Sequence, residues 1–200
     1  MPSKKPSKPL SAHDLGTDIV SSINSEFHTA SDRAFAILGA AYIDTILEHL
    51  LRAIFIEDTE ATERLLGISA PIGSNGARYN LAYSLALITK YERDDLKTIA
   101  EIRNYFAHRY DVVAFDSDDR ARDLVLKMHF VKRRAMLQND LASKAKNPAA
   151  AAGIASFKAT PRELLRDAII EFMISILPRV RTTRRATAEL WFAYPVADDA

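Results

Sequence analysis

The sequence contains no cysteine among its 200 residues, which excludes disulfides, thiolate metal sites and a cysteine nucleophile. Its 27 lysines and arginines nearly balance its 26 aspartates and glutamates, so no excess of one charge demands a nucleic-acid partner. No uninterrupted apolar run reaches membrane-spanning length, because the richest stretch, residues 34–47, contains Asp44. The first ten residues carry lysines but no apolar region follows, so they are not a secretory signal. We therefore expect a soluble, cytoplasmic protein without a membrane partner.

Hydrophobic residues make up 48% of the chain and recur at helical spacing along most of it. The strongest pattern covers residues 31–55, where apolar residues occupy most sides of the predicted helix and mark it as central. Strands do not alternate with helices, which argues against a parallel sheet. The sequence predicts an all-α fold, a single helical bundle of five to seven helices.

The domain organisation follows from composition. Residues 1–10 are rich in proline, serine and lysine and are predicted to be a disordered tail. Residues 11–195 are expected to form a single helical domain, with a flexible loop near residues 144–158. Residues 196–200 are predicted to be a C-terminal tail.

The last predicted helix begins at a capping box formed by Thr160 and Glu163, and Pro178 is expected to kink or end it. Beyond it, aromatic residues indicate that the end of the chain docks on the protein's own core or on a second subunit. These residues are Trp191, Phe192 and Tyr194.

The candidate functional residues lie at the end of a predicted helix that begins near residue 90. Asn104 and His108 are one turn apart, and the long side chain of Arg103 reaches the same space. Together they offer a guanidinium for phosphate, an amide for orientation and an imidazole for proton transfer. A purely structural interpretation stays open: Arg103 pairs with a carboxylate, Asn104 binds backbone, and His108 ends the helix.

Four further residues are expected to support this site. Asp44 lies on the apolar stripe of the central helix, and a buried carboxylate needs a partner, for which Arg103 or Arg78 is the candidate. Arg109 and Tyr110 directly follow the candidate histidine.

Other motifs are weak or missing. The basic segments 127–134 and 179–185 fit either a nucleic-acid contact or solvated, ion-paired faces. Scattered histidines and acids without ligand spacing give no metal site. The sequence has no dinucleotide fingerprint, phosphate-binding loop or nucleophile elbow, so no cofactor is expected.

Two blocks of the sequence resemble the mannitol operon repressor family (MltR). Residues 33–55 are similar to its central helix, and residues 71–108 are similar to its second block. The resemblance covers about half of the chain and implies an all-helical regulator without a helix-turn-helix.

Arg103, Asn104 and His108 also resemble the Arg-x4-His motif of the HEPN superfamily. That resemblance implies metal-independent RNA cleavage, in which the histidine moves the proton of the 2′-hydroxyl and the arginine holds the scissile phosphate. It also implies that two motifs meet across a dimer.

Three hypotheses follow. We favour a regulatory protein of the mannitol-repressor type; the alternatives are a HEPN endoribonuclease, acting as a toxin or defence effector, and a non-catalytic helical scaffold. A homodimer packed near the helix that carries Arg103 and His108 is expected, with RNA, DNA or a protein as the further partner. A nuclease requires Arg103 and His108 in a shared positive groove, whereas a scaffold would bury both.

Overall fold

A computed structural model describes residues 17–67, 69–156 and 158–183 of the chain. Within these ranges the backbone forms nine α-helices and no strand, which confirms the predicted all-α fold. In chain order the helices are α1 (Thr17–Thr29), α2 (Asp32–Ile54), α3 (Thr59–Leu66), α4 (Asn75–Ser84), α5 (Lys90–Ala107), α6 (Asp119–Leu126), α7 (His129–Lys144), α8 (Pro148–Ser156) and α9 (Pro161–Thr182).

The helices in the described ranges outnumber the predicted five to seven because two segments differ from the expectation. The sequence predicts one helix from residue 117 onward, but this segment is divided into α6 and α7, since Met128 has an extended ψ of 140° between them. The segment near 144–158, expected to be a loop, contains α8. Alanine is the strongest helix former, Pro148 suits the first helical position, and the Asn147 carboxamide accepts the Ala149 N–H at 2.9 Å.

Some of the expectations concern residues outside the described ranges and stay predictions. They are the tails 1–10 and 196–200, the end of the basic segment at Arg184 and Arg185, and the aromatic residues Trp191, Phe192 and Tyr194. Eight of the nine described helices contribute residues to one hydrophobic core, and α8 contributes none.

Helix α2 lies at the centre of this core and contacts α4, α5 and α9. Its N-terminus is capped by Ser31, whose Oγ accepts the Ala34 N–H at 3.2 Å. Gly39 allows α9 to approach closely, because a Cβ there would lie 2.5 Å from Cδ1 of Ile169. The buried residues of α2 are Phe35, Ala36, Gly39, Ala40, Ile43, Ile46, Leu47, Leu50 and Leu51.

By length and composition alone, α2 is also apolar enough to cross a membrane, the one such helix in the described ranges. A helix at the centre of a soluble core passes the same test, because it too is apolar on most sides. The burial of α2 against α5 and α9 accounts for its composition, so the feature does not indicate a membrane protein.

Helix α5 begins at a capping box. Thr89 Oγ1 accepts the Glu92 N–H at 3.2 Å, and Glu92 Oε2 accepts the Thr89 N–H at 2.7 Å. Its apolar face packs on α2 through Leu96, Ile99, Ile102 and Phe106, which are all buried. The capped start and the buried face fix the position of α5 in the fold. Its C-terminal end carries the candidate site.

Helix α9 continues past Pro178 to Thr182, whereas the sequence predicted a kink or an end there. Proline removes one backbone hydrogen bond, but the residues after it are held by tertiary contacts. Arg179 donates to Glu92 Oε1 at 2.8 Å and to the Leu87 carbonyl at 3.1 Å, and Val180 packs against the core.

Arg78 is the most deeply buried charged side chain in the described ranges, with 5% of its surface exposed. Its Nη1 donates to Asp44 Oδ2 at 2.6 Å, and its Nη2 lies 2.9 Å from Glu48 Oε2. Nη2 also donates to the Leu66 carbonyl at 2.9 Å, and Nε donates to the Ile72 carbonyl at 3.2 Å. One guanidinium therefore joins α2, α3, α4 and the connection between α3 and α4.

Of the two predicted partners of Asp44, the structure selects Arg78 rather than Arg103. Burial raises the pKa of Asp44, and the charge and hydrogen bond of Arg78 oppose that rise. The second carboxylate oxygen of Asp44, Oδ1, has no hydrogen-bond partner in the part of the chain that is described. Among the described residues, the Asp44 carboxylate thus depends on Arg78 for its side-chain hydrogen bond.

Substituting Arg78→Met is expected to lower the free energy of unfolding by about 3 kcal/mol, because two carboxylates and two carbonyls lose their donor. Urea denaturation measures this. The matched control is Arg64→Met, which removes an exposed ion pair with Glu60 and should cost less than about 1 kcal/mol. Equal losses in the two variants would contradict a structural role for the Arg78 network.

Candidate functional site

The end of α5 presents the three residues singled out from the sequence. Arg103, Asn104 and His108 are all exposed. Arg103 Nη1 donates to Asn104 Oδ1 at 2.9 Å, which is the one side-chain contact within the trio. His108 is the C-cap of the helix, and its backbone N–H donates to the Asn104 carbonyl at 3.1 Å. Its imidazole makes no hydrogen bond to any residue that the structure describes.

The loop that follows α5 is held by a chain of side-chain contacts. Arg109 donates two hydrogen bonds to the Asp111 carboxylate, from Nε to Oδ1 at 2.9 Å and from Nη2 to Oδ2 at 2.5 Å. Its Nη1 donates to the Tyr105 hydroxyl at 2.7 Å, and that hydroxyl donates to Asp118 Oδ2 at 2.8 Å. Asp118 caps α6, so the loop is tied to the helices on both sides.

The first turn of α2 also contacts this loop. Arg33 Nη2 donates to the carbonyls of Arg109 and Asp111 at 2.8 and 2.7 Å. The Asp32 carboxylate accepts the Phe115 N–H at 2.8 Å. Neither residue was predicted to support the site. The sequence shows Asp32 only as an acid in the first turn of a helix, where it is common for local reasons.

Two apolar side chains project from this fixed loop. Tyr110 and Val112 have relative exposures of 104% and 97%, whereas Val113 and Phe115 are buried in the core. Val113 and Phe115, two residues apart, are both buried, as expected for the short extended piece that the sequence predicts at 112–115. We call the exposed set the α5-end surface; its members are Arg103, Asn104, His108, Tyr110 and Val112.

The supporting residues predicted from the sequence fall into two groups. Arg109 organises the loop and Tyr110 is exposed on it, next to His108. Asp44 and Arg78 belong instead to the buried network between α2 and α4 and make no contact with the α5-end surface. The last turn of α5 and its loop therefore form the site without them.

The α5-end surface combines charged, polar and apolar groups. It offers a guanidinium, an imidazole, an amide and two apolar groups to a molecule in solution, on a backbone that is already fixed. Among the described residues, no group of three or more histidines and acids is placed to hold a metal ion.

The fold and this surface define an all-helical protein that presents a fixed, partly apolar loop at one end of its bundle. A family model described as "Mannitol repressor" matches residues 18–162. The chain therefore belongs to the mannitol repressor family, which confirms the resemblance of residues 33–55 and 71–108 to that family. The match does not bear on the resemblance to the HEPN motif.

Two solved structures share the fold. The X-ray structure of the MtlR–HPr complex from Escherichia coli matches with a TM-score of 0.55 and 16% identity, over 82% of this chain and 99% of that chain. A possible transcriptional regulator, YggD, from Shigella flexneri 2a strain 2457T matches with a TM-score of 0.57 and 15% identity, over 82% and 98%. No curated protein matches the sequence. Identities this low establish the fold alone.

The ion pair between Arg109 and Asp111 is predicted to persist at low pH. The hydrogen bonds from Arg109 lower the pKa of the Asp111 carboxyl to about 2 from 3.8. The ionised form is thus favoured in the folded state, so the contact is complete above about pH 4 and is lost as pH falls through about 2. Carboxyl carbon NMR should find this pKa in the wild type and a value near 3.8 in Arg109→Gln. An Asp111 pKa near 3.8 in both proteins would show that the contact does not persist in solution.

Proposed function

We propose that this protein is a regulator of the mannitol-repressor type that acts by binding a partner protein through the α5-end surface. One observation carries the proposal: Tyr110 and Val112 are almost fully exposed on a backbone held by Arg33, Arg109 and Asp111. Two exposed apolar side chains on a fixed loop offer a partner protein apolar surface that binding would remove from water.

The composition of the surface suits a protein interface. Tyrosine and arginine are the residues that most often dominate binding energy, and Tyr110 and Arg103 are both exposed here. Because the loop is already held in one conformation, binding does not have to order it, and less free energy is lost on association.

The partner proposed for this chain is HPr. MtlR of Escherichia coli, which shares the fold at a TM-score of 0.55, was solved in a complex with HPr. The family membership of this chain supports an equivalent protein contact here.

The basic segment 127–134 gives less support to a nucleic-acid partner. Lys127 lies 2.8 Å from Glu101, Arg133 pairs with Glu171, and Arg134 pairs with Asp167. Cations already paired within the fold release fewer counterions on binding a phosphate backbone, so their contribution to affinity is reduced.

The proposal also includes the predicted homodimer and a cytoplasmic location. The dimer is expected to pack near α5, as the sequence predicted, and light scattering on the free protein should give twice the chain mass. A monomer at micromolar concentration would remove the dimer from the proposal without affecting the HPr contact.

Isothermal titration of the full chain with HPr of the same species is expected to show saturable binding. Tyr110→Ala should weaken that binding at least about tenfold, since it removes an aromatic anchor. The matched control is Tyr91→Ala, an exposed tyrosine at the opposite end of α5, which should leave the affinity unchanged. No binding at about 100 μM HPr, or equal losses in the two variants, would refute the proposed contact.

The alternative is metal-independent RNA cleavage, which the exposure of both Arg103 and His108 favours over a scaffold. It requires the two side chains to converge on one phosphate, whereas the contact present joins Arg103 to Asn104. Under the main proposal, purified protein incubated with single-stranded RNA in a chelator leaves the RNA intact. Cleavage by the wild type that disappears in His108→Ala would establish the enzyme instead.

A further inference from the structure

A cleft of about 630 Å³ lies on the side of the bundle formed by α5, α7 and α9. Its volume is in the range of sites that hold small organic ligands. The floor is made by the buried side chains of Leu96, Ile99, Met128 and Phe172. None of the residues of the α5-end surface lines it, so the two sites are separate.

The walls of the cleft are apolar and partly aromatic. Tyr91 and Met136 line it with relative exposures of 64% and 70%. The ring of Tyr91 lies 4.8 Å from the imidazole of His129, and Phe130 lies under the guanidinium of Arg133 at 5.9 Å. A ligand in this space would therefore cover apolar surface that is now open to water.

The three carboxylates that line the cleft already have partners. Glu92 accepts from Arg179 at 2.8 and 3.0 Å as well as from the Thr89 backbone. Burial alone would raise the pKa of Glu92, but these bonds hold it below its ordinary value. Glu171 pairs with Arg133.

The third carboxylate, Asp95, caps the N-terminus of α7 from a different helix. Its Oδ1 accepts the His129 N–H at 2.7 Å and its Oδ2 accepts the Phe130 N–H at 2.8 Å. Both oxygens are therefore occupied, and burial raises the pKa of this carboxyl in spite of the two bonds. The acids of the cleft offer a ligand little free hydrogen-bonding capacity.

The groups that remain available are donors. Lys132 lines the cleft and forms no ion pair with any residue of 17–67, 69–156 or 158–183. His129 also faces the cleft, and its Nε2 is 4.0 Å from Asp94, too far for a hydrogen bond. One unpaired ammonium beside an apolar space matches one negative charge on an apolar body.

We propose that this cleft binds a small organic monoanion with an apolar or aromatic body, of the aryl or alkyl carboxylate or sulfonate class. The apolar body lies on Phe172, Tyr91 and Met136, and the anionic group accepts from the Lys132 ammonium at the rim. This site is independent of the α5-end surface and does not require the proposed HPr contact.

Two fluorescent probes that differ in charge test the proposal on the full chain. They are 8-anilinonaphthalene-1-sulfonate, an aromatic monoanion, and N-phenyl-1-naphthylamine, which lacks the sulfonate. The anion is expected to bind saturably at one site per chain and more tightly than the neutral probe. Lys132→Gln should weaken the anion about fivefold and leave the neutral probe unchanged.

Two further variants separate the charge from the apolar wall. Lys97→Gln is the matched control, because Lys97 is an exposed lysine of α5 that does not line the cleft, and it should change neither affinity. Tyr91→Ser should weaken both probes, since it removes apolar surface that both contact. Circular dichroism confirms that each variant keeps its helices.

Three results would overturn the proposal. They are the absence of saturable binding by the anion, equal affinities for the two probes, and equal effects of the Lys132 and Lys97 substitutions. A fourth arm substitutes Trp191→Ser in the full chain. A gain in anion affinity of about tenfold there would show that residues of the chain's own C-terminal part already fill the cleft, which also overturns it.

Discussion

Contacts made by the first turn of α2 hold together three distant parts of the chain: the end of α1, the loop after α5 and the start of α9. Asp32 accepts the backbone N–H of Phe115 and pairs with Arg162 at the start of α9. Arg162 in turn donates to the Phe27 and Ala30 carbonyls at the end of α1, both at 2.6 Å. A single carboxylate therefore connects the central helix, the last helix and the loop after α5. Those contacts join residues 83 and 130 positions apart, and they hold the loop in place by ion pairs and backbone bonds.

Many charged side chains of this protein pair with other residues of the same chain. Arg78 is enclosed by Asp44, Glu48 and two carbonyls. Arg133 and Arg134 of α7 pair with acids of α9, and Arg179 of α9 pairs with Glu92, whereas Lys132 of α7 forms no ion pair with a described residue. The two regions that we propose for contacts with other molecules are the α5-end surface and the cleft between α5, α7 and α9. Both combine apolar side chains with a small number of free donors.

Local features of the fold could be predicted from the sequence, and distant ones could not. The capping boxes at Thr89 and Thr160, the central helix and the exposed end of α5 follow from spacing within one or two turns. The sequence indicated Arg78 or Arg103 as the partner of Asp44 but could not distinguish them. The position of a residue along its helix does not show which other helix packs against that residue. The roles of Asp32 and Arg33 were missed, since their partners lie more than 75 residues away. The helix at 148–156 was missed because the alanine-rich stretch that ends at Gly153 was expected to be a flexible loop, whereas the high helix propensity of alanine favours a helix there.

We propose that the loop fixed by the first turn of α2 is the surface that binds the partner protein. Amide hydrogen exchange, measured by mass spectrometry on the full chain with and without saturating HPr, tests it most directly. Backbone amides in residues 103–112 are expected to gain protection in the complex, while those lining the α5–α7–α9 cleft keep their free-state rates. Protection confined to the cleft, with residues 103–112 unchanged, would contradict the claim.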